Sequence, residues 1–207
     1  MGTFFKLLLK LLSYLFGFRF FNFFSSLKDN LISYSLQRQI KNSDNKIRVQ
    51  APVVITGAKH ITIGKSFVAN RNLRLQAITD YMGINYDPQI HIGNNVTVNT
   101  NCHIAALKKI TIGDNVLIAS NVFISDHSHG RSDFADLATP PALRQLDSKG
   151  EICIGNNVWI GQNVMILANV NIGDNVIIGA NAVVTKDLPA NSVAIGSPAR
   201  VIRNINT

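Results

Sequence analysis

An aliphatic residue returns at every sixth position along much of the second half of this chain. Glycine, asparagine and aspartate fill many of the positions between, and these residues accept the left-handed backbone conformations that corners require. An α-helix would bring its apolar stripe back every three or four residues, so the spacing excludes one. The repeat therefore predicts a parallel β-solenoid in which each hexad is one short strand and one corner. Its clearest members are Ile154, Ile160, Ile166, Ile172, Ile178 and Val184.

The repeat extends upstream in weaker form and divides the chain into two expected domains. Residues 51–207 form the solenoid, and residues 1–50 form an N-terminal basic, amphipathic helical segment with a connector. Two stretches, 76–89 and 130–150, lack the repeat, and loops of that length are more often functional than idle. The expected fold class is all-β, a parallel β-helix preceded by a helical segment.

Charge is concentrated at the N-terminus. The first fifty residues hold eight lysines and arginines against two aspartates, whereas the net charge of the whole chain is only +8. The solenoid is therefore close to neutral, which argues against a nucleic-acid groove on it. An anionic lipid surface is the expected partner of the basic segment.

Residues 4–24 are rich in phenylalanine and leucine, but charges interrupt them. Lys6, Lys10 and Arg19 divide this segment, so every uncharged run in it is much shorter than the roughly 20 residues that a membrane-spanning helix needs. Lys6, Lys10 and Ser13 fall on one narrow helical stripe with apolar residues around the rest. Two interpretations stay open. Residues 1–24 lie in a membrane interface, or they cap the apolar end of a solenoid of the same or a neighbouring subunit.

The two cysteines bear on the compartment. Cys102 and Cys153 lie inside repeat segments and suggest no disulfide framework. A reducing cytoplasm is the expected location, with peripheral attachment to the inner face of the membrane as an extension of the lipid interpretation.

Two histidines, His127 and His129, stand where the repeat breaks before the second long interruption. Imidazole titrates near neutral pH and can take a proton from an attacking hydroxyl, so the pair is a candidate for acid–base chemistry. Polar loop residues and a zinc site are the alternatives. Asn99 belongs to another polar cluster but is equally typical of a corner, and Trp159 more often packs on a sheet than contacts a ligand.

Together these stretches resemble the left-handed β-helix, hexapeptide-repeat acyltransferases, in the branch of galactoside and maltose O-acetyltransferases. The resemblance covers roughly residues 90–205. Its most specific part runs from Ile154-Gly-Asn-Asn-Val-Trp to Gly196-Ser-Pro-Ala-Arg-Val-Ile-Arg. The run Asp126-His-Ser-His-Gly resembles the subgroup that acetylates bacterial surface polysaccharides and lipopolysaccharides. The resemblance implies a left-handed coil and a homotrimer with sites shared between subunits.

The resemblance also assigns site residues. Ser120 stands at the family's proline, and the family's catalytic histidine, nine positions further, corresponds to His129 as general base, with His127 as the alternative or a positioning neighbour. The family's active-site asparagine corresponds to Asn99. The positions that line the coenzyme A site in the family are occupied by Trp159, Gln162, Ala180, Thr185, Lys186 and Arg203.

The implied reaction is acetyl transfer from acetyl-CoA to a sugar hydroxyl of a surface-polysaccharide or lipopolysaccharide precursor, without a metal. An N-acetyltransferase of an amino or nucleotide sugar, or an enzyme acting on a small acceptor, stays open. Two other interpretations also stay open, a zinc enzyme like γ-carbonic anhydrase and a scaffold without catalytic activity. The imidazoles available to a zinc site would be those of His91, His103, His127 and His129.

Overall fold

A computed structural model describes residues 2–40, 46–131, 136 and 138–204. Parts of the expected regions lie outside the described residues. These parts are positions 1 and 41–45 of the N-terminal segment, 132–135 and 137 of the loop 130–150, and 205–207 at the end of the solenoid.

Two helices precede a long series of short strands. The helices are α1 (Thr3–Leu15) and α2 (Phe18–Gln39), and two single 3₁₀ turns cover Ala58–His60 and Pro141–Leu143. The strands are β1 (Arg48–Val49), β2 (Val53–Thr56), β3 (Ile61–Ile63), β4 (Val68–Ala69), β5 (Leu73–Ala77), β6 (Asp80–Tyr81), β7 (Ile84–Asn85), β8 (Gln89–Ile92), β9 (Thr97–Val98), β10 (His103–Ala106), β11 (Lys109–Ile112), β12 (Leu117–Ile118), β13 (Phe123–Ser125), β14 (Ser128–His129), β15 (Leu146–Asp147), β16 (Ile152–Ile154), β17 (Trp159–Ile160), β18 (Met165–Ile166), β19 (Val170–Ile172), β20 (Ile177–Ile178), β21 (Val183–Val184), β22 (Ser192–Ile195) and β23 (Arg200–Asn204).

The strands form three parallel sheets, and successive strands of the coil belong to the first, second and third sheet in turn. The first sheet has the order β1-β4-β9-β12-β17-β20-β22-β23, the second β2-β5-β10-β13-β18-β21 and the third β19-β16-β11-β8-β3. Only β23 runs antiparallel within them, beside β22. Two hairpin pairs, β6–β7 and β14–β15, stand apart as separate small sheets. The prediction of parallel sheets with a helical N-terminal part is confirmed.

The hexad aliphatics form the core. Ile118, Ile160 and Ile178 stack in the first sheet, while Ile124 and Ile166 stack in the second, and all are buried. The residue before each of them points outward, because side chains alternate along a strand. Each hexad buries two side chains, the strand aliphatic and the residue four positions after it, such as Ile160 and Val164, and these pairs fill the interior.

Asparagine occupies the corners for a conformational reason. Asn121, Asn163 and Asn181 have φ angles of 61°, 59° and 61°, in the left-handed region. Their side chains also form a ladder along the corner, in which Asn121 Nδ2 donates to Asn163 Oδ1 at 3.0 Å and Asn163 Nδ2 to Asn181 Oδ1 at 2.9 Å. The repeated asparagine therefore satisfies both the backbone and its own amide group.

The end of α2 packs against the first coil. Ser33 Oγ accepts the backbone N–H of Val49 at 3.0 Å, and Asp29 Oδ1 accepts that of Ala51 at 2.8 Å. Leu36 and Ile40 are buried in the same core as the strands. The packed part is residues 29–40, beyond the residues 1–24 for which capping was predicted, and capping by residues 1–24 stays a prediction.

Candidate active site

A buried carboxylate fixes the chain where β13 ends. Asp126 is 0% exposed and accepts the backbone N–H groups of Leu107, Lys108 and Lys109 at 2.7, 2.8 and 2.9 Å. These three groups belong to the corner of the preceding coil, so the carboxylate joins two turns of the solenoid. Its position determines where the neighbouring histidines stand.

His127 is held by that carboxylate. Its Nδ1 lies 3.3 Å from Asp126 Oδ1 and 3.2 Å from Ser125 Oγ, and its side chain is 13% exposed. A carboxylate beside one ring nitrogen orients an imidazole and selects its tautomer. His127 is thus an oriented histidine with limited access to solvent.

His129 is exposed, and both interruptions of the repeat converge on it. It lies on β14, which pairs antiparallel with β15 from the second interruption. Its Nδ1 lies 3.3 Å from the hydroxyl of Tyr81, which belongs to the β6–β7 hairpin of the first interruption, and the two rings meet edge to face. Tyr81 Oη also lies 3.4 Å from the carbonyl oxygen of Ala142. The sequence had marked Tyr81 only as part of an interruption.

His103, which the sequence offered only as a possible zinc ligand, lies on the outer face of the second sheet. Arg74 Nη2 donates to Gln76 Oε1 at 2.9 Å, and because arginine only donates, the Gln76 atom must be the oxygen. His103 Nε2, 2.8 Å from the same oxygen, must therefore carry a hydrogen. Burial first, then Arg74 and His127, lower the pKa of His103 to about 4, so the ring is neutral and its Nδ1 can accept a hydrogen bond.

This lowered pKa predicts a specific acid sensitivity. As pH falls from about 6.5 toward 4, the unfolded chain protonates position 103 while the folded chain does not, so His103 favours unfolding in that window. His103→Gln should therefore lose less of its thermal midpoint between pH 7 and pH 5 than the unsubstituted protein. His91→Gln is the control, because His91 is a partly buried histidine on the outer face of the third sheet. Equal pH dependence in the His103→Gln and His91→Gln proteins would contradict the prediction.

Asn99 and His129 are not brought together within one chain. Asn99 follows β9 at the corner between the first and second sheets, where its Oδ1 accepts Asn70 Nδ2 at 2.9 Å. The histidines follow β13 at the corner between the second and third sheets. The second sheet separates the two corners, and its outer face there carries His103 and Phe123.

The predicted coenzyme A residues are all exposed, and they lie in pairs at three places on the coil. Trp159 and Arg203 lie in one outward row of the first sheet, joined through Ile177 and Val193. Gln162 and Ala180 occupy the adjoining corner, the one that also holds Asn99. The remaining two are Thr185 and Lys186, which follow β21 at the corner between the second and third sheets, here called the histidine corner.

A polar cavity of about 360 Å³ lies beside β14 and β15. Its lining includes Gly130, Arg144 and Asp147. Within the described residues, no group of three or more histidine, cysteine, aspartate or glutamate side chains could hold a metal ion.

Comparison with known proteins identifies the family. The model of the bacterial transferase hexapeptide (six repeats) matches residues 154–186. The chain is 38% identical over 162 residues to WbbJ of Escherichia coli K12, provisionally named a lipopolysaccharide biosynthesis O-acetyl transferase. That match covers 76% of this chain and 79% of that protein. The chain belongs to the hexapeptide-repeat transferases.

Two further similar proteins support the enzyme class. The galactoside O-acetyltransferase of E. coli K12 is 48% identical over 126 residues, 58% of this chain and 57% of that protein. A hexapeptide-repeat acetyltransferase from Vibrio cholerae, solved with acetyl-CoA, has 26% identity and a TM-score of 0.58, covering 86% of this chain and 79% of that one. The prediction of an acetyltransferase is confirmed, and the predicted donor agrees with that complex.

Proposed function

We propose that this enzyme transfers acetyl from acetyl-CoA to a sugar hydroxyl of a surface-polysaccharide or lipopolysaccharide precursor, with His129 as general base. The imidazole removes the hydroxyl proton as the oxygen attacks the thioester carbon. The carbon–sulfur bond then breaks, and the imidazolium returns the proton to the departing thiolate. No covalent acetyl-enzyme intermediate forms in this reaction. Positioning of the two substrates contributes much of the rate acceleration.

The position of His129 is the observation that carries this proposal. An exposed imidazole stands between two non-repeat segments, with Tyr81 against its Nδ1 at 3.3 Å. A hydrogen-bond partner at one ring nitrogen leaves the other for the acceptor hydroxyl. His127, at 13% exposure and beside Asp126, fits a positioning role better.

The names of two relatives and the surroundings of the histidine support the acceptor class. WbbJ and the galactoside enzyme are both named for O-acetyl transfer. The cavity next to β14, lined in part by Arg144 and Asp147, offers charged and polar groups of the kind that bind sugar hydroxyls. We place the enzyme in the cytoplasm, where the free thiols of Cys102 and Cys153 would persist.

We further propose a left-handed coil and a trimer whose sites lie between subunits. In one chain Asn99, Gln162, Ala180 and Trp159 lie on the far side of the second sheet from His129. A neighbouring copy that presents this group to the histidine corner would complete the site. Lys186 and Arg203 would then supply positive charge to the phosphates of coenzyme A.

The test is acetyl transfer from labelled acetyl-CoA to galactosides, maltose and fragments of surface glycans. We expect saturable acetyl-CoA binding and a product whose label is released by mild alkali, as for an O-acetyl ester. An alkali-stable label would indicate transfer to an amino group instead. Failure to bind acetyl-CoA, with zinc present in the purified protein, would overturn the proposal in favour of the carbonic-anhydrase interpretation.

A further inference from the structure

The N-terminal helices expose an unusual amount of aromatic surface. Eight of the eleven phenylalanines in the chain lie between Phe4 and Phe24, and all eight are exposed. Phe4 is 83% and Phe18 81% exposed. Phe20 contacts Phe16 across the break between α1 and α2 and Phe24 within α2, so the apolar surface continues from one helix to the other. An exposed patch of this kind marks an interaction site.

The charge on this surface has one sign. Residues 2–28 carry Lys6, Lys10, Arg19 and Lys28, and the first acidic residue of the chain is Asp29. On α1, Lys6, Lys10 and Ser13 form a narrow polar stripe while the rest of the circumference is apolar. Cations flanking exposed aromatic groups complement a bilayer with anionic headgroups, where the rings enter the interface and the charges remain at the phosphates.

The geometry favours helices that lie in the interface. Among the described helices, no single one is long and apolar enough to cross a bilayer, and α1 and α2 satisfy that length and composition only as a pair bent by 85°. A bend of that size lets amphipathic α1 lie in the interface while the 22-residue α2 leads to the solenoid.

The other end of α2 is fixed to the enzyme body. Ser33 and Asp29 hold the backbone of β1 and of Ala51, and Leu36 is buried in the coil. Arg71 of the coil also donates to Ser25 Oγ at 3.3 Å. A membrane that binds α1 and the start of α2 would therefore be connected to the first turn of the solenoid by a packed helix.

We propose that α1 and residues 18–28 of α2 form a membrane-binding surface for anionic phospholipid bilayers. This surface keeps the solenoid at the membrane. If the proposed function is right, it also raises the local concentration of lipid-linked glycan acceptors. Membrane binding itself does not depend on that function.

The test is co-sedimentation of the full-length protein with vesicles of phosphatidylcholine alone or with 30% phosphatidylglycerol. We expect binding to the mixed vesicles that weakens with added salt. Lys6→Gln with Lys10→Gln should lower the partition coefficient about thirtyfold. The matched control, Lys59→Gln with Lys149→Gln, removes the same charge from the solenoid and should bind as the unsubstituted protein does.

A second pair of substitutions tests the apolar part and the competing occupant. Phe23→Ser with Phe24→Ser should weaken vesicle binding while sedimentation in lipid-free buffer stays unchanged. If these substitutions instead dissociate an assembly and the parent protein ignores vesicles, a second copy of the chain covers the surface and the proposal is wrong. Equal loss in the lysine variant and its control would overturn it too. Acetyl transfer to a soluble acceptor, measured in parallel, reports on the proposed function separately.

Discussion

Replacing His129 by alanine is expected to lower kcat/KM for acetyl transfer by about 10²–10⁴-fold, the range typical of a general base. Acetyl-CoA affinity should change by less than about threefold, since the proposal gives His129 a role in proton transfer and not in donor binding. Calorimetric titration and initial rates on the same preparation separate the two effects. Because His129 is exposed, the His129→Ala protein should keep the free energy of unfolding of the parent protein.

His127→Ala is the matched comparison, because the two histidines are two residues apart and differ in their environments. His127 lies against Asp126 and Ser125, whereas His129 lies against Tyr81. We expect a smaller loss of activity in His127→Ala than in His129→Ala. An inactive His127→Ala protein together with a fully active His129→Ala protein would reverse the assignment and make the oriented imidazole of the Asp126–His127 pair the base.

Replacing Asp126 by alanine is expected to lower the free energy of unfolding by about 2–4 kcal/mol. The change leaves the buried N–H of Leu107 without its acceptor, and a buried unpaired donor costs about 1–3 kcal/mol. The N–H groups of Lys108 and Lys109 add less to the loss of unfolding free energy, because their hydrogen bonds are only partly buried. Urea denaturation at a fixed protein concentration measures the loss.

Two variants control for this result. Asp126→Asn keeps one acceptor oxygen at the same place and should lose less stability than the alanine variant. Asp147→Ala removes a carboxylate from the neighbouring β15, where it is only partly buried, and should stay within about 0.5 kcal/mol of the parent protein. A loss below 0.5 kcal/mol for Asp126→Ala would mean that water replaces the carboxylate at this corner.

The repeat determined most of what the sequence could predict. A period of six specifies a buried aliphatic in every hexad, and Ile160, Ile166 and Ile178 are buried as that period requires. The corner asparagines were equally accessible to sequence reasoning, because few residue types tolerate their φ angles near +60°.

Contacts between coils could not be predicted in the same way. Gln76 and His103 are 27 positions apart, and their meeting depends on the coil keeping its register across the first interruption. Tyr81 reaches His129 over 48 positions, through a hairpin with no repeat of its own. The N-terminal segment shows another limit. Composition predicts that its surface is basic and apolar. It does not predict that Ser33 and Leu36 of α2 pack on the coil.

Both interruptions leave the solenoid at the same corner. The β6–β7 hairpin separates β5 of the second sheet from β8 of the third, and the segment with β14 and β15 separates β13 from β16 of the same two sheets. The strands on either side keep their pairing, so this corner tolerates added chain without a change in the coil. Under the proposed function, exchanging these two segments between relatives is expected to change acceptor preference, as antibody loops are exchanged on a constant framework. The equivalent corner at residues 167–169 offers a third position for grafting.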